Sequence, residues 1–175
     1  VNVIGIDPSL TGTGMASVDG DLSTITSKPH GDTLTDRHDR LLDIIADALP
    51  LRDDPVDLVV IEAPSLGQSR QGGTLDRNGL WWLLIHELHL AHHTVLDVPP
   101  ATLKKYATGK GNATKPDMRM ALFQRAGIDC RDDNQVDAWW LRALGHHVLG
   151  QPLVDLPKAH TAALDRLTRP AQAVA

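Results

Sequence analysis

Two short apolar runs, each closed by an acid, constrain this chain more than any other feature. Val1, Val3, Ile4 and Ile6 lead to Asp7, and Leu58-Val59-Val60-Ile61 leads to Glu62. Runs this short and this rich in β-branched residues read as buried strands. Pro8, Gly12 and Gly14 keep a helix from following the first, and Met15 to Val18 reads as a second strand. Asp19-Gly20 is a hairpin signal, which makes Leu22 to Thr26 a third. The stretch RHDRLLDIIADAL (37–49) then sets Leu41, Ile44, Ile45, Ala48 and Leu49 on one helical stripe. A helix over 74–92 separates the fourth strand from a fifth, Thr94 to Val98. Further helices are expected over about 101–107, 115–126 and 135–149, with a short one near 159–167. Asp132-Asp133-Asn134 caps the third of these. Strands 1, 4 and 5 are separated by helices, so they are expected to be parallel and central. Strands 2 and 3 are expected to be antiparallel, toward one edge. The fold class is therefore α/β, a mixed five-stranded sheet flanked by helices. It forms a single domain over 1–167, with 168–175 as a flexible tail.

Composition narrows the class further. No apolar run approaches the ~20 residues of a membrane span, and the first residues show no leader-like pattern. Cys130 is the single cysteine, which forbids an internal disulfide and a Cys-based zinc site. A cytoplasmic protein is the expectation. The net charge of −5 argues at first against a nucleic-acid partner, but its distribution does not. Residues 101–131 carry seven Lys or Arg against two Asp, whereas residues 32–57 carry eight Asp against three Arg. A segregated field of this kind matters more to a polyanion than the total does.

The acids carry the chemistry. In an α/β sheet, sites form at strand ends. If strands 1 and 4 are neighbours, Asp7 and Glu62 lie side by side. In DDNQVDAWW (132–140), Asp137 shares a helix face with Asn134 and Asp133, and Val136, Trp139, Trp140 and Ala143 turn that helix inward. A carboxylate in so apolar a stretch needs a cation or a donor. Asp7, Glu62 and Asp137 together repel one another unless metal binds them, and hard oxygen ligands suit Mg²⁺ or Mn²⁺. Two such ions ~3.5–4 Å apart clamp a scissile phosphate and activate water. Asp133 reads more simply as an N-cap.

Four motifs then carry a resemblance. GIDPSLTGTG (5–14), VVIEAP (59–64), LKKYATGKGNATKPDM (103–118) and DDNQVDA (132–138) resemble, in order, those of the RuvC family of Holliday-junction resolvases, which have the RNase H-like fold. The short spacing from Asp7 to Gly12 is similar to the phage branch of that family. The resemblance implies a homodimeric, Mg²⁺-dependent crossover junction endodeoxyribonuclease, Mn²⁺ substituting. It would nick two opposed strands of branched DNA, leaving a 5′-phosphate and a 3′-hydroxyl, with the two-fold axis setting the symmetry. Asp7, Glu62 and Asp137 fall on the family's metal-binding acids, and Lys115 on a lysine close to the DNA backbone. Asn134 stands where the family has an acid or His, which leaves Asn134 or Asp133 to complete a second metal site. Lys104, Lys105, Lys110 and Arg119 are the expected phosphate contacts, with Thr108 to Thr114 as a phosphate-facing loop. The region APSLGQS (63–69) lacks the aromatic wedge of the bacterial family; Leu66 is the weak substitute, which extends the expected substrates to forks or flaps.

Other features weigh less. His86, His89 and His93 lie on one helix without an acid or Cys at matching spacing, so a solvated or dimer-facing helix is the simpler account. Trp81-Trp82 and Trp139-Trp140 read first as core and dimer packing. Three rivals stand beside the nuclease: an actin-like ATPase, a junction-binding protein without strong catalysis, and an RNase H-fold nuclease acting on RNA. The first needs a second domain that 175 residues do not accommodate.

Overall fold

The computed structural model describes residues 1–49, 55–65 and 73–168. Leu66 and the tail beyond Thr168 lie outside them. Strands β1 (Val3–Asp7), β2 (Gly12–Ala16) and β3 (Leu22–Thr26) precede α1 (Leu34–Ala48) and β4 (Leu58–Glu62). Then come α2 (Thr74–Leu90), β5 (Val95–Val98), α3 (Pro100–Thr108), α4 (Lys115–Ala126), α5 (Asp133–Val148) and α6 (Lys158–Thr161). A 3₁₀ turn, Leu164–Arg166, closes the described chain. The sheet order is β3-β2-β1-β4-β5, with β1, β4 and β5 parallel and the β1-β2-β3 hairpins antiparallel.

This is the expected mixed sheet, with two differences. β5 forms an edge instead of a central strand. β2 begins at Gly12, three residues before the expected start at Met15. The cause is tertiary. A Cβ on Gly14 would stand 2.0 Å from the Asn134 carbonyl oxygen, and one on Gly5 2.0 Å from that of Ala138. These glycines serve as strand residues because α5 lies directly on β1 and β2. Gly145 returns the favour, since its Cβ would meet Val3 and Val60 at 2.6 Å.

Strand alternation sends the two faces different ways. Ile4, Ile6, Val59 and Ile61 pack against Leu41, Ile44, Leu80 and Leu84 of α1 and α2. Val3, Leu58 and Val60 face Trp140, Ala143 and Leu144 of α5, with α3 and α4 beyond. Each such burial is worth about 1.5–3 kcal/mol. Two polar ties hold α5 to its cover: Tyr106 Oη donates to the Ala143 carbonyl at 3.1 Å, and Trp140 Nε1 to that of Met118 at 3.3 Å. Trp139 and Trp140 are core residues, whereas Trp82 is exposed.

Candidate active site

The parallel register pairs Ile6 with Ile61, so Asp7 and Glu62 leave adjacent strands at the same level. Both fall on the α5 face, continuing the alternation of Val3 and Gly5 and of Leu58 and Val60. The glycines beneath α5 let that helix descend until Asp137 stands over the pair. The three acids line one cavity of about 450 Å³, together with Ser9, Arg77, Lys104 and Lys115. Trp81 Nε1 donates to the Glu62 carbonyl at 3.0 Å and fixes the end of β4.

Electrostatics mark these acids out. Burial, then the nearby charges of Glu62 and Asp137, pushes the Asp7 carboxyl well above the ordinary range. Burial and Asp137 push Glu62 up to about 7. The contact between the two carboxyls raises Asp7 further and pulls Glu62 down, as expected for crowded acids that resist ionising together. Burial raises Asp137 to about 6 against the pull of Lys115 and Lys104. Among the described residues, no three His, Cys, Asp or Glu side chains already close around an ion. The donor set is nevertheless hard oxygen, and its mutual repulsion is what a divalent cation relieves.

Asp133 behaves differently. Despite partial burial, Arg119 Nε at 2.6 Å and Lys115 Nζ at 3.2 Å hold its carboxyl below the ordinary value. It is not the N-cap of α5. Asp132 takes that place, accepting from the Asn134 N–H at 2.9 Å, and Asp133 is the first helical residue. The cap falls one residue early because Asp132 is anchored to the sheet, where Thr24 Oγ1 donates to it at 2.7 Å. Asn134 lines the cavity, with its amide packed against Gly12 of β2.

The basic residues divide. Lys104 and Lys115 line the cavity. Arg119 reaches Asp133 beside it. Lys105 and Lys110 stand apart from it, Lys110 exposed in the α3–α4 turn. That turn is held by its own hydrogen bonds. The Lys110 N–H donates to Thr108 Oγ1 at 3.1 Å, Gly109 is the left-handed C-cap of α3 (φ 82°), and Thr114 caps α4 with Asp117 in a capping box. The box fixes Lys115 at the first position of its helix, facing Asp133. Arg77 and Asn78, on the first turn of α2, also line the cavity. Sequence reasoning passed over them because their only signal is a polar first turn on a long helix.

Solved structures share this architecture. That of Thermus thermophilus RuvC matches with a TM-score of 0.58 at 17% identity, covering 89% of this chain and 100% of that one. The structure of T. thermophilus RuvC in complex with Holliday junction substrate matches at 0.58 and 19% identity, covering 96% and 98%. The chain therefore shares the fold of RuvC. No protein-family model matches it, and comparison with curated proteins returns no match. No described helix is long and apolar enough to cross a membrane.

Proposed function

We propose that this protein is a divalent-metal-dependent endonuclease that resolves four-way DNA junctions by paired nicks in a homodimer. One observation carries the proposal. Asp7, Glu62 and Asp137 are gathered in a cavity where their carboxyls are held above their ordinary values, between Lys104 and Lys115, on the RuvC fold. Asp7, Glu62 and Asp137 would hold Mg²⁺, with Asn134 as the neutral candidate for a second ion. A metal held there would supply Lewis acidity to activate water and offset charge on the phosphate, the chemistry of an in-line hydrolysis that leaves a 5′-phosphate and a 3′-hydroxyl.

The chain's own groups do the rest. Lys104 and Lys115 position the phosphate against the carboxylates and offset its charge. Lys115 is paired with Asp133 in the free protein and turns from it to the phosphate as DNA enters, while Arg119 keeps Asp133 neutralised. Ionised Asp133 is already satisfied by two cations, so Asn134 is the better placed of the two to complete a second metal site. With no aromatic at 63–69, selectivity for the junction centre is relaxed, and forks or flaps are further substrates.

Cleavage of a labelled four-way junction with Mg²⁺, Mn²⁺ or EDTA tests this, beside linear duplex and an RNA–DNA hybrid. Paired, metal-dependent nicks in the junction are expected. Binding without nicks in either metal would replace the nuclease with a junction-binding protein, and cleavage of the hybrid alone with an RNA-directed enzyme.

A further inference from the structure

The α3–α4 turn, Gly109 to Thr114, joins two helices that each send a lysine into the carboxylate cavity, Lys104 from α3 and Lys115 from α4. Gly111 of the turn and Lys104 line a common cavity beside it. A polyanion seated on Lys104 and Lys115 therefore has this turn alongside, and the exposed Lys110 is the cation that the turn offers. The far end of the turn is seated by Ala113, buried in the core, and by the capping box of Thr114 and Asp117.

The near end is seated by a residue from elsewhere in the chain. Gly109 is left-handed, and a glycine there is the point at which a backbone turns most freely. The side where a Cβ would stand is filled by the His160 imidazole of α6: such a Cβ would lie 2.8 Å from Nε2 and 3.2 Å from Cδ2. The same ring reaches the last turn of α3, with Nδ1 3.0 Å from the Tyr106 carbonyl oxygen. A carbonyl only accepts, so Nδ1 donates, and it satisfies a carbonyl that the end of the helix leaves without an intrahelical donor. Ala163 and Leu164, shortly after His160, are buried in the core with Leu103, Tyr106 and Ala107 of α3, and hold the ring in place. Tyr106 is thus fixed at both ends, its hydroxyl to the Ala143 carbonyl of α5 and its own carbonyl to α6. Lys110 is the residue after Gly109, so whatever holds Gly109 sets the direction in which Lys110 leaves α3.

We infer that His160 is a positioning residue for DNA binding: its bond to the Tyr106 carbonyl lays the ring on Gly109 and so directs Lys110 at a phosphate beside the cavity. This rests on the DNA-binding reading proposed above.

The test measures junction affinity against salt concentration, in EDTA, for wild type, K110A, H160F, H160N and the double variant H160F/K110A. H160F keeps a ring and loses the donor, whereas H160N keeps an amide donor near the place of Nδ1. Each phosphate contact contributes about 0.9 to the slope of log affinity against log salt, a slope that lost stability alone does not change in the folded protein. K110A should lower the slope by about one, H160F by as much, and the double variant no further, while H160N keeps the wild-type slope. An unchanged slope in H160F would overturn the assignment. So would additive losses in the double variant, which would separate His160 from Lys110, or an unchanged slope in K110A, which would take the turn off the DNA and leave the reading of the cavity standing. H160A replaces H160F in the comparison if H160F does not fold. If wild type binds no junction, the DNA-binding reading fails by itself. Amide hydrogen exchange over Gly109 to Asn112 then reads the hold directly: faster exchange in H160F than in wild type and H160N would still support it, and equal exchange would remove it.

Discussion

The two faces of the β1–β4 pair are built from alternate residues of the same ten positions, yet they do opposite work. Toward α1 and α2, Ile4, Ile6, Val59 and Ile61 make an unbroken apolar layer. Toward α5, the same strands run Val3, Gly5, Asp7 and Leu58, Val60, Glu62, and end in acids held away from their ordinary ionisation. The apolar face stabilises the sheet. The α5 face gives some of that stability back: it uses glycine where a larger residue would pack, and it crowds carboxylates that water would otherwise solvate. A site of this kind needs a strong opposite face to hold it.

Five changes break or sharpen this contrast. Asp7→Asn is the largest: cleavage falls by roughly 10²-fold or more, while junction binding persists. Its stability effect runs the other way. Glu62 titrates at about 7 and Asp7 also above its ordinary value, so the metal-free protein is favoured while both keep protons and loses stability as pH rises through those values. Thermal unfolding in EDTA should therefore show Asp7→Asn gaining on wild type as pH rises from the ordinary carboxylate range to about 7. A variant less stable than wild type at both ends would mean that Asp7 is structural.

Ile61→Ala, on the opposite face, should cost about 2–5 kcal/mol in denaturant unfolding yet leave the folded protein's cleavage rate in place. A rate that falls with stability still intact would show the faces are not separable. Gly14→Ala should combine both losses. Its Cβ would stand 2.0 Å from the Asn134 carbonyl, so α5 must lift, at about 1–3 kcal/mol, and carry Asp137 away from Asp7. Crystal structures of variant and parent would show the displacement. Lys115→Ala should slow cleavage about tenfold and weaken binding less, because its charge acts on the phosphate in the transition state; equal effects on both would reduce it to a general DNA contact.

The smallest effect lies at the far end of α5. His146 is buried with no partner for Nε2 among the described residues, and burial and Arg142 hold it near an acidic value of about 4. An unfolded chain takes up that proton first, so stability is lost as pH falls from about 6.5 toward 4, opposite in sign to the carboxylates. His146→Leu should flatten the acid side of the Tm profile by a few degrees. An unchanged profile would place the acid sensitivity elsewhere.

Much of this was legible in the sequence. Short β-branched runs, the Asp19-Gly20 turn and the helical stripes name their own elements, because strand and helix periods are local properties. Acids directly after two such runs mark strand ends, and an Asp among tryptophans marks an inward-facing charge. Those signals located Asp7, Glu62 and Asp137, and the motif resemblance matches the RuvC fold seen in the structure. What local pattern does not contain is contact between distant segments. The early start of β2, the edge position of β5, the choice of Asp132 over Asp133 as cap, the pairing of Asp133 with Lys115 and Arg119, and the arrival of Arg77 at the cavity all depend on how closely α5 and α2 approach the sheet. In the sequence Gly14 reads only as a residue that keeps a helix from forming, and Gly5 lies unremarked within the first strand. Only the helix lying 2.0 Å from their missing Cβ atoms shows them to be what admits Asp137 to the site, since a glycine's use is set by the atoms of another segment that occupy its empty side.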